Sequence, residues 1–410
     1  MLKRGRNLLW FLFLLSIISQ LGKHFWPNWS LVLGIRVDYL SVIFYLSDLL
    51  WLGLLSLELK NNLALRKVLK RVFSNKGFWF LVVLLVTNVI IADNPWVVIY
   101  GWLRLGQLLL MMLMVRKSKK LVNKLLKVII PCWIVIESLL VLGQIAKGGS
   151  LGSWWWYLGE RTFTFNTIGI AQMSVFGRGL IRGYGTFSHP NSLAGFLLVS
   201  LIWWGKFKKE IEFRFWWWIV AWLGLMGIIL TGSRVVALLT LIVVILYLKS
   251  LFRKKRNFYY SLGTVSLLLI FVAYLININY PLNNFLGGWD ENGLLKRGEL
   301  NMAAIEMIKE KPFLGVGLNN FLVRLPEFQE ESQIFWLQPV HNILLLMIVE
   351  MGWLISLVFF FLLFKYLKKK RIEKWQWLIL GVIVATGMMD HYWMTLSQNR
   401  WLLFLFLGLF

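Results

Sequence analysis

Charged side chains are scarce in this chain of 410 residues: 15% are Asp, Glu, Lys or Arg, against about 25% in an ordinary soluble domain. Acidic residues are the scarcest of these, since 19 Asp and Glu stand against 44 Lys and Arg. Hydrophobic residues make up 59% of the chain, including 24 Trp and 30 Phe, and this much apolar surface needs lipid to cover it. The composition therefore excludes a soluble globular protein and indicates an integral membrane protein.

Cysteine occurs once, as Cys132 in an apolar run, which excludes a disulfide framework and a cysteine-rich metal site. The sequence also has no phosphate-binding Gly-x-x-x-x-Gly-Lys-Ser/Thr loop, no Gly-x-Gly-x-x-Gly turn and no His-Glu-x-x-His motif. Two acidic pairs, at residues 290–291 and 330–331, could bind a divalent cation, but such pairs are typical of solvated surfaces. We predict that the protein uses no cofactor and no metal.

Apolar runs near the length of about 20 residues that a membrane-spanning helix needs recur along the whole chain. We predict an all-α polytopic protein with about twelve transmembrane helices in a single membrane domain. The predicted spans lie at residues 7–22, 39–58, 77–92, 95–115, 125–146, 190–205, 215–231, 233–249, 258–276, 341–364, 375–391 and 398–410. The first run resembles a signal peptide, but no small-residue cleavage site follows it, so we predict that it is retained as a helix.

Lys and Arg are concentrated in alternate segments between the predicted spans. Thirty of the 44 lie in residues 1–6, 59–76, 116–127, 206–214, 249–256 and 365–374. Because cytoplasmic loops collect these cations, we predict that these segments and both termini are cytoplasmic. This topology accounts for most of the net charge of +25, so we predict the lipid bilayer, and not nucleic acid, as a partner.

Two of the predicted outer loops, residues 147–189 and 277–340, are too long to be simple turns. Long ordered loops between spans are uncommon unless they have a function. The second loop contains an amphipathic stretch from Leu300 to Ile308, which we expect to lie on the membrane surface. The aromatic run at residues 154–157 is typical of a membrane-interface belt, with sugar stacking as the alternative.

Polar motifs precede three spans that are predicted to run from outside to inside, at residues 182–191, 231–234 and 339–342. Pro190 and Pro339 fit first-turn helix positions, so all three helix N-termini would open on one face. Backbone N–H groups at such termini bind phosphate readily. The guanidinium groups that would add donors on that side belong to Arg182, Arg234 and Arg297. The pattern predicts an outward-facing site for an anionic lipid, although any single arginine here could equally be a headgroup anchor.

Ionisable residues within or beside the spans have competing interpretations. His341 is predicted in the first turn of its span after a long loop, which favours a functional role over a capping or interfacial one. His189 precedes a proline, and an extended residue that closes the loop is the alternative to a functional role. Asp48, Glu137 and Glu350 lie within predicted spans, where function or a buried ion pair must explain them.

The polar motifs together resemble the O-antigen ligase and polymerase superfamily of bacterial envelope glycosyltransferases. The matching pieces are Arg182 through Asn191, Thr231 through Arg234, Arg297, Pro312 through Gly317, His341, Asn342, Glu350, Gly352, Asp390 through Tyr392, and Gln398. The resemblance covers residues from about 180 to 410, and the first 150 residues match only as a series of spans.

The resemblance implies a multi-helical membrane fold of the GT-C type that works on the extracytoplasmic side of the bacterial cytoplasmic membrane. Such enzymes move a glycan from an undecaprenyl diphosphate carrier to an acceptor hydroxyl on a glycan or lipid, without nucleotide or metal. By resemblance, Arg234 and Arg297 would hold the diphosphate and His341 would be the general base. Further candidates for substrate or supporting contacts are Arg182, His189 and Asn342. A ligase and a polymerase both fit these motifs.

A transporter or flippase of lipid-linked oligosaccharide is the competing interpretation, because it also needs a cationic site for lipid phosphate. Transporters commonly show internal repeats and broken helices near the membrane midplane. Here the polar motifs lie at one end of the predicted spans, beside a long loop, which favours chemistry at a fixed face of the membrane.

Overall fold

The computed structural model describes residues 2–175, 178–209, 214–252, 291–329, 337–369 and 371–410. This part of the chain is mainly α-helical. Its helices are α1 (Leu2–Ser16), α2 (Leu46–Asn61), α3 (Leu63–Phe73), α4 (Lys76–Ile90), α5 (Pro95–Lys117), α6 (Lys119–Lys147), α7 (Trp154–Tyr157), α8 (Pro190–Lys206), α9 (Arg214–Leu230), α10 (Arg234–Phe252), α11 (Glu291–Glu310), α12 (Phe321–Arg324), α13 (Ile343–Lys368), α14 (Lys374–Gly387), α15 (Tyr392–Thr395) and α16 (Ser397–Leu409).

Three of the described helices, α5, α6 and α13, are each long and apolar enough to cross a membrane. Helices α3 and α4 together would make a fourth such segment, but they bend by 69° where they join. Helix α5 shows how the sequence sets such a boundary: Pro95 occupies its first turn, and the Asn94 side chain accepts a hydrogen bond from the Val97 backbone N–H (3.4 Å). Long apolar helices of this kind identify an integral membrane protein.

A helix covers most or all of every predicted span except residues 258–276, which lie outside the described residues. The second predicted span, 39–58, begins too early, because residues 42–45 form a strand and the helix starts only at Leu46. Apolar residues on a half-buried strand and on a spanning helix look alike in a short run, which explains the error. The twelve-span topology and its orientation remain predictions.

Short antiparallel hairpins connect some of the helices. Strand β1 (Gly22–Phe25) pairs with β4 (Val42–Tyr45), and β2 (Leu31–Val32) pairs with β3 (Ile35–Arg36) between them. In the first long loop, β5 (Gln172–Val175) pairs with β6 (Arg178–Ile181). The two pairings among β1 to β4 make residues 22–45 a compact segment immediately before α2.

The largest hydrophobic core lies among α1, α5, α6, α8, α9 and α16. Helix α6 packs against α9, α5 against α16, and α1 against α2 and α6. Four tryptophans are fully enclosed there: Trp10, Trp133, Trp203 and Trp393. Part of the unusual tryptophan content thus fills space between helices instead of facing lipid.

Helix α11 contains the amphipathic stretch that was expected on the membrane surface. That expectation is wrong for its apolar face, since Leu300, Ala303, Ala304 and Met307 are all buried. They share a core with Val349 of α13, against which α11 packs. Amphipathic periodicity shows that one face is covered, but the sequence pattern is the same whether lipid or protein covers it.

Candidate functional site

A buried carboxylate, that of Asp390, connects three parts of the chain that are far apart in sequence. Its Oδ2 accepts a hydrogen bond from the Asn191 side chain at the start of α8 (2.9 Å). Its Oδ1 accepts one from the His391 backbone N–H (2.8 Å) and lies 3.7 Å from Nδ1 of His341, just before α13. Asp390 therefore brings the start of α8, the start of α13 and the segment after α14 to one point.

The local sequence fixes where α13 begins and so where His341 stands. The Asn342 side chain accepts hydrogen bonds from the backbone N–H groups of Leu344 (3.0 Å) and Leu345 (3.1 Å), which makes Asn342 the N-cap. The predicted first-turn positions of His341 and Pro339 are therefore wrong, since both precede the helix. His341 lies in the irregular segment just before α13, and its side chain is directed toward Asp390.

The loop before α12 is hydrogen-bonded to the backbone of α13, the helix that follows His341, and this contact stabilises the position of that helix. The Val316 backbone N–H donates to the Val349 carbonyl oxygen (2.8 Å). Gly352 interrupts the helix with φ of +67°, and a Cβ on it would lie only 2.3 Å from the Phe313 carbonyl oxygen. Only glycine allows this backbone conformation together with this close approach. The Gly352 and Pro312–Gly317 motifs thus serve the architecture that holds the site.

Three histidines surround Asp390. The rings of His341 and His391 have centroids 5.1 Å apart, and Nδ1 of His391 lies 2.7 Å from the Thr395 hydroxyl. His189 is extended, as one interpretation predicted, and its Nδ1 accepts a hydrogen bond from the Asn191 backbone N–H (3.2 Å). His189 thereby caps α8.

Burial is the main influence on the pKa values of two of these imidazoles, those of His391 and His189. It lowers the pKa of His391 to about 3 and that of His189 to about 4, because the charged form of a buried imidazole loses its hydration. Burial alone would raise the pKa of the Asp390 carboxyl, but the imidazoles of His341, His391 and His189 outweigh it and hold that pKa well below its usual range. At neutral pH the site therefore contains a carboxylate flanked by the neutral imidazoles of His189 and His391.

Arg182 is built into this site more closely than the sequence suggested. Its Nε donates to the Thr231 carbonyl oxygen (2.7 Å), and its Nη2 donates to Oδ1 of Asn191 (2.6 Å). Arg182 thus ties the turn before α10 to the start of α8, and through Asn191 to Asp390. The predicted convergence of the 182–191 and 231–234 motifs is present in the structure.

The two arginines predicted to hold a diphosphate differ in what surrounds them. Arg297, on α11, is half-buried, and its positive charge acts on both His189 and His391. Arg234 is the exposed first residue of α10, three positions after Thr231. Both therefore belong to elements that reach the site.

Residues 219–360 match the family model of the O-antigen ligases. This match covers about a third of the chain and supports its assignment to the O-antigen ligase and polymerase superfamily. No curated protein matches the chain. The matched region contains Arg234, Arg297 and His341, and it ends before Asp390. The match agrees with the resemblance of the polar motifs to that superfamily.

The three acidic residues within predicted spans have structural partners. Asp48 forms an ion pair with Arg104 (2.6 Å) and accepts the Tyr45 backbone N–H (2.8 Å). Glu137 accepts hydrogen bonds from the backbone N–H (2.9 Å) and hydroxyl (2.7 Å) of Thr186, in the loop that leads to α8. The buried Glu350 carboxyl faces the backbone amides before and within α12. These contacts explain the three acids as supports of the fold.

A candidate metal position exists within the described residues. Ligand atoms of His341, Asp390 and His391 all lie within 4.8 Å of one another, and imidazole with carboxylate is a donor set that suits zinc. Both Asp390 oxygens already accept hydrogen bonds from Asn191 and the His391 backbone, so a metal would have to share them. Asp290, Glu330 and Glu331 of the two acidic pairs lie outside the described residues.

The site contains residues to which sequence reasoning gave no role. Asp390 and His391 were recognised only as part of a motif, and Tyr39, whose ring meets that of His391 edge-on at 5.4 Å, was assigned to a span. The adjacent acid and histidine after α14 were the available signal. Nothing in the sequence indicated Tyr39, because it reaches the site from a hairpin more than 300 residues away in the chain.

Proposed function

We propose that this protein transfers a glycan from an undecaprenyl diphosphate carrier to an acceptor hydroxyl on the extracytoplasmic face of the bacterial cytoplasmic membrane. The observation that carries the proposal is the 3.7 Å approach of His341 Nδ1 to the buried Asp390 carboxylate, with Arg182 and Arg297 beside the same cluster. An imidazole held by a carboxylate, next to guanidinium groups, suits proton removal from a hydroxyl with departure of an anionic leaving group.

His341 is the proposed general base. With Nδ1 turned toward Asp390, Nε2 is the nitrogen that accepts the proton of the acceptor hydroxyl, and the carboxylate stabilises the imidazolium that forms. The hydroxyl oxygen attacks the anomeric carbon as the bond from that carbon to the diphosphate oxygen breaks. The electron pair of that bond leaves with the diphosphate.

Arg234 and Arg297 are the proposed ligands of the departing diphosphate. Planar guanidinium groups donate two parallel hydrogen bonds to phosphate oxygens and supply charge stabilisation without a metal. Arg182 has a different proposed role, because its Nε and Nη2 already donate to Thr231 and Asn191. It positions the start of α8 and adds positive charge near the substrate, as His189 and Asn342 shape the neighbouring helix starts.

The test is transfer by the purified protein in detergent, with lipid-linked glycan and acceptor. A transporter has no two sides to move substrate between under these conditions, so product formation supports the enzyme. His341→Ala should reduce transfer by about 10²–10⁴-fold with nearly unchanged binding of the carrier lipid. His189→Ala should cost less, because that residue caps a helix and has no proposed proton transfer.

Both variants must elute as single species in detergent before their rates are compared. Normal transfer by His341→Ala would refute the base assignment, and so would a defect confined to carrier binding. Mass spectrometry of glycans from a strain without the gene distinguishes the two subclasses: loss of long polymer indicates a polymerase, and intact polymer left on its carrier indicates a ligase.

A further inference from the structure

A cavity of about 350 Å³ lies beside the site and is built largely from the first half of the chain. Its volume is within the range of small-molecule sites. Its wall contains His189, Pro339 and Thr395, so it borders the His341 segment and the hydroxyl that contacts His391. Arg182, Arg234 and Arg297, all within the described ranges, are not part of the wall. The cavity is therefore separate from the proposed diphosphate ligands and borders the segment that carries the proposed base.

The wall contains three guanidinium groups, those of Arg104, Arg161 and Arg400, and they differ in their partners. Arg104 donates to both Asp48 oxygens (2.6 and 3.0 Å) and to the Tyr100 hydroxyl (2.9 Å), so its guanidinium is satisfied. The Arg400 side chain interacts electrostatically with Arg104 and Asp48 but has no hydrogen-bond or ion-pair partner within the part of the chain that the structure describes. Asp48 is already paired with Arg104, which leaves the Arg400 guanidinium without an ion-pair partner.

The other acidic groups of the wall do not neutralise Arg400. Glu160 accepts the backbone N–H groups of Leu151 (2.8 Å) and Gly152 (2.7 Å), and Glu350 faces backbone amides. Asp38 is more than half exposed and lies 4.0 Å from Arg161. A half-buried guanidinium is costly to leave unpaired, so an anion in the cavity would gain a charge-assisted hydrogen bond there.

Aromatic groups in the same wall suit a sugar. Trp156 of α7 lines the cavity while 52% of its surface is exposed, and Tyr39, Tyr45 and Tyr100 add rings and hydroxyl groups. Exposed aromatic faces stack on the apolar faces of sugar rings, and phenol groups pair with sugar hydroxyls. For Trp156 this position favours the sugar-stacking interpretation of the aromatic run at residues 154–157.

We infer that this cavity binds an acidic sugar of the acceptor glycan, with its carboxylate or phosphate on Arg400 and its ring against Trp156. Its identity as the acceptor rests on the proposed function, in which an acceptor hydroxyl reacts at His341, two residues after the wall residue Pro339. The acidic-sugar specificity rests on the cavity wall alone.

Equilibrium binding to the full chain in detergent tests this specificity without requiring transfer. The probes are digalacturonate, the neutral disaccharide galactobiose and inorganic phosphate. Digalacturonate, or phosphate if the natural anion is a phosphate group, should bind at least about ten-fold more tightly than galactobiose. Arg400→Gln should remove this preference. Arg36→Gln is the matched control, because Arg36 is exposed, lies over Trp26 and is not part of the wall.

Trp156→Ala provides a second test that does not depend on a buried position. It should weaken binding of the acidic probe by about 2–10-fold through lost stacking, with the preference for an anion retained. Equal affinity for acidic, phosphate and neutral probes would overturn the inference, as would an undiminished preference in Arg400→Gln. If Arg400→Gln does not fold, unchanged binding by Trp156→Ala overturns it. An inactive chain that still prefers anions would refute only the transferase, and an active chain without that preference would refute only this inference.

Discussion

Replacing Asp390 with asparagine tests the centre of the site with the smallest change in shape. Asparagine keeps one acceptor oxygen, so the hydrogen bond from either Asn191 or the His391 backbone can survive. The negative charge beside His341 is lost. We therefore expect a defect in the chemical step that exceeds any defect in folding or carrier binding.

The distance sets the size of the effect. Two unit charges 3.7 Å apart attract by about 4–5 kcal/mol at an effective dielectric constant of about 20. Since about 1.36 kcal/mol of barrier corresponds to ten-fold in rate, the full loss would be about 10³-fold. Part of the charge on His341 is compensated by the polar surroundings, so we expect kcat to fall by about 10²–10³-fold.

The assay is transfer in detergent with separate measurement of kcat, the KM of each substrate and the melting temperature. Asp93→Asn is the matched control, since Asp93 pairs with Arg324 (3.1 Å) and Lys311 (3.5 Å) outside the site. If folded Asp390→Asn keeps kcat within about two-fold of the wild type, the carboxylate does not assist the base.

Further predictions concern the arginines, metal, topology and acid stability. Arg234→Lys and Arg297→Lys should each cost about 1.5–3 kcal/mol of transition-state stabilisation in transfer assays, because an ammonium cannot reproduce a two-donor fork; full activity in both would make them headgroup anchors. Transfer should survive excess EDTA, whereas loss with rescue by a divalent metal would point to His341, Asp390 and His391 or to the two acidic pairs. In a Cys132→Ser background, an impermeant maleimide should label cysteines placed at the exposed positions Ile168 and Phe313 in spheroplasts but not at Lys120; labelling at Lys120 alone would reverse the topology. The melting temperature should fall as the pH is lowered from about 7.5 to about 5. Burial keeps the pKa of His189 at about 4 and that of His391 at about 3, so below about pH 6.5 the unfolded chain takes up protons that the folded chain does not. His189→Gln should lessen this fall in melting temperature.

The helices were largely predictable, because each depends on a local run of apolar residues. The start of α8 at Pro190 and the break at Gly232, with φ of +64°, follow directly from proline and glycine chemistry. The start of α13 was misplaced because Asn342, and not Pro339, supplies the capping side chain. Both residues fit a helix start, and which one caps depends on backbone dihedral angles that composition does not determine.

The site was predictable only where one motif carries the signal. The 182–191 and 339–342 motifs contain Arg182, His189 and His341, and the structure brings all three to Asp390. The link between these motifs is a long-range hydrogen bond from Asn191 to Asp390, across 199 positions. Local pattern cannot specify such a pair, because it depends on how α8, α13 and α14 pack.

The residues proposed for the reaction and those proposed for acceptor recognition differ in their positions along the chain. The proposed diphosphate ligands Arg234 and Arg297 and the base His341 lie within residues 219–360, the region that matches the family model. In the cavity wall, Arg400, Trp156 and Tyr100 lie outside that region, whereas Asn319, Leu322, Pro339, Leu346 and Glu350 lie within it. Chemistry at the carrier is the same whatever glycan it bears, whereas recognition of an acceptor depends on the sugars of that acceptor. Because Arg400 and Trp156 lie outside the matched region, substitutions there can change the acceptor while Arg234, Arg297 and His341 stay intact, although Asp390, which supports His341, also lies outside that region.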